Sequence, residues 1–154
     1  MYDQKMKANL GLAKAHLETA NYIMQSIEMM HEKRGDKLIG TAGGQELLEF
    51  LIVIGQISMV GAHLKQATDR LEKFYQKTDD DQTTQTTEGL YSEYTKLKTM
   101  RLYTEDAIFN ASVSSLLVEH LPKSFNFAAE ASRLSSQKHH IEAGIQLINQ
   151  LLSV

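Results

Sequence analysis

Hydrophobic positions recur along four long stretches of this chain, at alternating intervals of four and three residues in the first, second and fourth and as a broader stripe in the third. In the first, Met6, Leu10, Ala13, Leu17, Ala20, Met24, Ile27 and His31 keep that spacing without a slip. This is a heptad seam, the pattern of a helix packed nearly in line with its neighbour. Its exit, "HEKRG", suits a helix end: Lys33 and Arg34 meet the negative end of the dipole, and Gly35 accepts a left-handed cap. The second helix is predicted over about 44–78, with Phe50, Ile54, Ile57, Gly61, Leu64, Thr68, Leu71 and Tyr75 in its stripe. Its first half is apolar on nearly every face, which predicts burial on several sides. Gly55 and Gly61 weaken a helix and are expected where another helix comes close.

The third stretch predicts a helix over about 88–120, with Leu90, Tyr94, Leu97, Ile108, Ala111 and Val118 flanked by Leu102, Phe109, Leu116 and Leu117. Pro122 stops it. The fourth, about 124–152, repeats the seam with Phe127, Ala131, Leu134, Lys138, Ile141, Ile145, Ile148 and Leu152, and Ser124 as its N-cap. Helices near 30 residues reach roughly 45 Å. Short connections make sequence neighbours antiparallel. The expected fold is all-α, an up-down-up-down four-helix bundle of long antiparallel helices, built as two helical hairpins. Residues 1–154 are expected to form a single helical-bundle domain: hairpin 1–78, linker 79–87 and hairpin 88–154. The linker, "DDDQTTQTT", has no apolar anchor and reads as a solvated connection. Its aspartates lack the glycine and distal glutamate of a calcium loop.

Composition narrows the function classes. A chain of 154 residues suits one domain, and a single proline with no tryptophan fits long uninterrupted helices. The absence of cysteine excludes disulfides, thiolate nucleophiles and cysteine metal sites. Net charge is −3 with scattered Lys and Arg, which argues against a nucleic-acid footprint. The start, "MYDQKMKANL", has no signal-peptide core, and the apolar run 47–62 is too short and interrupted to span a membrane. A cytoplasmic protein is expected, or one exported without a cleavable signal peptide.

Catalytic motifs are weak. No strand–turn–helix elbow surrounds a serine, and "GTAGG" lacks the lysine and spacing of a phosphate cradle. No catalytic residue and no cofactor is assigned. Glu28 and His31 form one Glu-x-x-His step, whereas di-iron bundles need two plus two further glutamates. In an up-down bundle Glu46, Glu49, Glu119 and His120 fall at the same end. Glu28, His31, Glu46, Glu49 and His120 are therefore the ligand set of an alternative, a metal-binding bundle of ferritin-like or DinB-like type. His16, His63, Arg101, Glu105, His139 and His140 make up a second polar layer. The favoured expectation is a non-catalytic protein-protein interaction module whose partner is another helical protein or a second copy of itself. Helix two carries more apolar surface than one seam requires. Tyr91, Tyr94 and Tyr103, with Met29, Met30 and Met59, offer adaptable contacts or complete the core. A phage- or toxin-related inhibitor, immunity or chaperone bundle would share this build.

The bend between the first two helices holds Leu38-Ile39-Gly40, with glycines at 40, 43 and 44 that let the chain reverse. Helix two ends in Tyr75-Gln-Lys-Thr-Asp79, and Ala42 and Phe50 follow the bend. This arrangement, over residues 6–80, resembles the WXG and LXG helical-hairpin proteins of type VII secretion systems. The resemblance implies a helix–turn–helix hairpin, a Tyr-x-x-x-Asp export signal at Tyr75 and Asp79, and partner-binding or turn residues Leu38, Gly40, Phe50 and Ile54. This chain has no tryptophan at the bend, Gly43 and Gly44 lengthen it, and a second hairpin follows. In the terms of that resemblance, the second hairpin supplies in cis the partner that such proteins bind in trans.

Overall fold

The chain enters its first helix through Asp3, whose carboxylate accepts a hydrogen bond from the Met6 amide at 2.7 Å. An aspartate there satisfies one of the amides a helix start leaves free. The computed structural model describes the backbone of residues 2–34, 45–116 and 127–153, and the side chains of residues 2–33, 51–111 and 129–153. Its helices are α1 (Gln4–Arg34), α2 (Gln45–Gln76), α3 (Gln85–Leu116), α4 (Phe127–Ser135) and α5 (Lys138–Leu152), with a 3-10 turn at Asp80–Gln82. Among the described residues there is no strand, and α4 with α5 makes the fourth rod. Packing runs around a square: α1 on α2, α2 on α3, and the fourth rod on both α3 and α1. Each neighbouring pair is antiparallel. His16 faces His63 and Asn9 faces Arg70 across α1 and α2; Gly61 faces Thr104 and Tyr75 faces Tyr91 across α2 and α3. This is the expected up-down-up-down four-helix bundle. The bend residues Leu38 and Gly40, with Gly35, Glu119, His120, Pro122 and Ser124, lie outside the described residues, as do the side chains of Glu46, Glu49, Phe50 and Phe127.

The core follows the hydrophobic rows closely on α1. Met6, Leu10, Ala13, Leu17, Ala20, Met24 and Ile27 are all buried, and His31 at the end of the row is half-buried. On α2 the buried row is Val53, Ile57, Val60, Leu64, Ala67, Leu71 and Phe74. It shares Ile57, Leu64 and Leu71 with the expected stripe but is turned by one residue elsewhere. Ile54, Gly61 and Tyr75 become its half-buried flank, with Gly61 and Tyr75 toward α3. The cause is that α2 is covered by two helices, so two adjacent rows share the buried arc. Thr68 is also buried, and its hydroxyl donates back to the Leu64 carbonyl at 2.9 Å. On α3 the buried positions are Thr87, Leu90, Tyr94, Leu97, Met100, Thr104, Ala107 and Ala111; Ile108 is half-buried, while Leu102 and Phe109 are exposed.

Three local expectations are corrected. The fourth helix is not continuous: the chain tightens at Ser136–Gln137, where the Gln137 amide donates to the Leu134 carbonyl three residues back. That step changes which residues face inward. His140, Ile141, Gly144, Ile148 and Leu151 are buried, while Lys138, Ile145 and Leu152 are half-exposed. Leu17 Cδ1 would lie 3.2 Å from a Cβ at Gly144, so the missing side chain there lets α5 settle onto α1. The connection after α2 has no apolar anchor, as expected, but its last residues are not a solvated link. Thr84 and Thr87 cap α3 reciprocally, each amide donating to the other's hydroxyl at 2.7 and 3.2 Å, and Thr87 is buried. The helix therefore begins three residues before its expected start. Gly55, finally, is exposed, with no described atom within 4 Å of where a Cβ would stand.

Gly61 does mark a close approach, because a Cβ there would overlap the Thr104 hydroxyl. Gly61→Ala should therefore destabilise by about 1–3 kcal/mol despite alanine's better helix propensity. In a Thr104→Ala background the same change should cost much less. Denaturant titration of the four-member cycle measures the coupling; a cost unchanged by Thr104→Ala would contradict this contact.

Candidate functional site

The first half of α2 is apolar on its outer face as well as its inner one. Outside the buried row stand Leu51, Ile52, Gly55, Ser58, Met59 and Ala62, spread over about three turns with no charge among them. Leu51 is 57% exposed, Ile52 49% and Met59 51%, so these large side chains are not absorbed by the bundle. Beside them a surface groove of ≈ 490 Å³ runs between α2 and α3. Ser58, Gly61 and Ala62 form one wall, and Thr104, Ile108 and Phe109 the other. Phe109 is 67% exposed and extends the apolar surface from α2 onto α3. Lys65 and Glu105 stand at the same groove and bring the first charges along it. On the solvent-facing side of a bundle helix polar residues are the usual occupants. Ile54, a sequence-predicted contact residue, is half-buried and packs against the core instead.

Tyr75 and Asp79 sit at the α2–α3 connection, at the other end of α2. Tyr75 is half-buried in a ring cluster: its centroid is 5.1 Å from Phe74 and 5.2 Å from Tyr91, both edge-on, and 6.2 Å from Tyr94. Tyr2 meets Phe74 edge-on at 5.3 Å. The Tyr75 hydroxyl donates to the Thr87 carbonyl at 2.6 Å. Burial, then the phenols of Tyr2 and Tyr91, hold Tyr75 well above the ordinary tyrosine range, so it remains a neutral donor. Its ring and hydroxyl thus close the hairpin. Asp79 is exposed; its carbonyl accepts from the Gln82 amide at 3.0 Å, and its amide donates to the Gln82 side chain at 2.9 Å. Tyr94 is buried, Tyr103 lies under the Arg133 guanidinium at 3.9 Å, and Tyr91 is exposed.

The polar layers separate into pairs. Glu28 is engaged across the bundle with Lys138 and Ser135, both at 3.4 Å. Arg101 pairs with Glu105 along α3 at 3.1 Å. His140 Nδ1 lies 2.6 Å from a Glu93 oxygen, joining α5 to α3, and the His139 ring lies beside the His140 ring, tilted by 43° with centroids 3.9 Å apart. His16 and His63 bring their Nδ1 atoms to 3.0 Å between α1 and α2. Among the described residues no group of three His, Asp or Glu is arranged to hold a metal ion. Nor is any described helix long and apolar enough to cross a membrane. No protein-family model, no curated protein and no solved structure matches this chain.

The exposed outer face was legible in the sequence as surplus apolar residues on helix two. The Phe109 wall was legible only as a flank of helix three, because which side of α3 meets α2 depends on packing. The up-down register had placed His16 and His63 in one polar layer, although they are 47 residues apart; that these two rings meet each other was set by packing.

Burial, followed by the neighbouring His63 and Arg70, pushes His16 below the ordinary histidine range. A His whose folded value lies below its unfolded value of about 6.5 binds fewer protons when folded. Its contribution to stability is full above that value and is lost as pH falls below it. The urea midpoint of the wild type should thus drop between pH 7.5 and 5 by more than that of His16→Gln; parallel pH profiles would contradict the assignment.

Proposed function

We propose that this protein is a non-catalytic interaction module that receives an amphipathic helix of another protein along the outer face of α2. The observation that carries this reading is the uncharged apolar strip from Leu51 to Ala62, continued by Phe109 across the groove. Residues spaced three and four apart on such a strip suit the apolar face of an incoming helix. Gly55 and Ala62 leave lanes in which a second backbone can lie close, with Met59 between them as an adaptable contact. Burying a large apolar side chain contributes about 1.5–3 kcal/mol, so Leu51, Ile52, Met59 and Phe109 form a sufficient set of anchors.

The Tyr75-x-x-x-Asp79 pair is not what carries this reading. Tyr75 already serves the hairpin, and Asp79 is the member whose side chain is exposed. An export role of the type VII kind would therefore act through Asp79 and leave the strip on α2 for the helical partner.

The test places a photo-crosslinking residue at position 59, and another at the exposed position 73 on the same helix, in the protein's native setting. Position 59 should give an adduct of defined mass that position 73 does not. The double change Met59→Lys with Phe109→Lys should abolish it while leaving the circular dichroism and melting temperature near wild type. Equal adducts from both positions, or an adduct that survives the double change, would refute the assignment. An adduct of twice the chain's own mass would identify the partner as a second copy.

A further inference from the structure

We propose that His16 and His63 form a two-histidine site for a divalent transition-metal ion of the imidazole-preferring class, Cu(II), Ni(II) or Zn(II), which clamps α1 to α2. The two rings come from neighbouring antiparallel helices and present their Nδ1 atoms to each other at 3.0 Å. Their centroids are 5.2 Å apart and their planes tilted by 36°, so the rings meet by their nitrogen edges and not by their faces. Two metal–imidazole bonds of about 2.1 Å meeting near a right angle span about 3.0 Å. The separation therefore matches two adjacent positions of a square-planar or octahedral ion once each ring turns by about 45° to aim its lone pair at the ion, a side-chain rotation that leaves the spacing of the two helices as it is. Both side chains are half-buried, which leaves the remaining positions to solvent.

The chemistry of the pair supports the same conclusion. Ligation needs neutral imidazoles, each offering one ring-nitrogen lone pair. In the empty pair one ring donates its Nδ1–H to the bare Nδ1 of the other. On binding, that proton moves to Nε2 of its own ring, so both Nδ1 lone pairs face the ion and no net proton is released. Arg70 lies seven residues beyond His63 on α2, and its guanidinium donates to Asn9 Oδ1 at 3.4 Å. Its charge opposes the ion from a distance of two helical turns, whereas the two nitrogens bind directly. With two nitrogen ligands the order of affinity should be Cu(II) above Ni(II) and Zn(II).

The experiment titrates the purified full chain at pH 7.5 with each metal salt, reading calorimetry, melting temperature and, for Cu(II), electron paramagnetic resonance. The expected result is one equivalent of Cu(II) with a two-nitrogen signature and a raised melting temperature. Both should be lost in His16→Gln and in His63→Gln but retained in His139→Ala. In the wild type, substoichiometric Cu(II) should broaden the ring resonances of two histidines first, identified as His16 and His63. This measurement stands even if a variant fails to fold. No binding at tenfold excess metal, binding that survives loss of both histidines, or first broadening of His139 and His140 would overturn the site.

Discussion

The structure depends on the coverage of α2 from two sides. Its inner arc is filled by Val53, Ile57, Val60, Leu64, Ala67, Leu71 and Phe74, all buried, and its flank by Gly61 and Tyr75 against α3. Such a helix must approach α1 and α3 together. Small groups set the distance: Gly61 faces Thr104 on one side, and Ala13, Ala20 and Ala67 thin the core elsewhere. Loss of a large core side chain such as Leu64 would remove contacts and leave a cavity, an effect of roughly 2–5 kcal/mol. The ion pairs at the surface, including Lys14–Glu18 and Arg101–Glu105, are open to solvent on at least one side and contribute little by comparison.

That coverage also explains the division of labour along α2. Toward its C-terminal end the outer face turns polar, with Lys65, Gln66, Glu72 and Lys73 exposed, and Tyr75 fastens the hairpin to Thr87. Toward its N-terminal end the outer face stays apolar, although the bundle does not cover Leu51, Ile52 or Met59. The same helix thus contributes to the core from Val53 to Phe74 and, over residues 51–62, also exposes an apolar outer face. Exposed apolar area of this continuity has a cost in solubility, which the proposed helical partner would offset.

Much of this was legible from residue spacing. The α1 row from Met6 to Ile27 maps onto the core without a shift, because α1 has a strongly segregated stripe. The α2 row was displaced by one residue at Val53, Val60, Ala67 and Phe74. A helix apolar on nearly every face offers two equivalent rows, and only its neighbours choose between them. The break at Ser136–Gln137 was not legible, since Lys138 continued the spacing and nothing nearby is a glycine or proline. The early start of α3 was legible in retrospect through Thr84 and Thr87, a capping pair with threonine in the place of the more common glutamate. The exposed strip was visible as excess apolar residues, whereas the histidine pair needed the register.

Methionine oxidation in the isolated chain tests the central claim directly, because α2 and its neighbours carry thioethers on both sides of the boundary. Under mild peroxide, mass spectrometry should find Met59 and Met29 oxidised at least tenfold faster than Met24 and Met100, which the bundle buries completely. Protection of Met59 to the level of Met24 would show that the outer face of α2 is already covered, and would contradict the account.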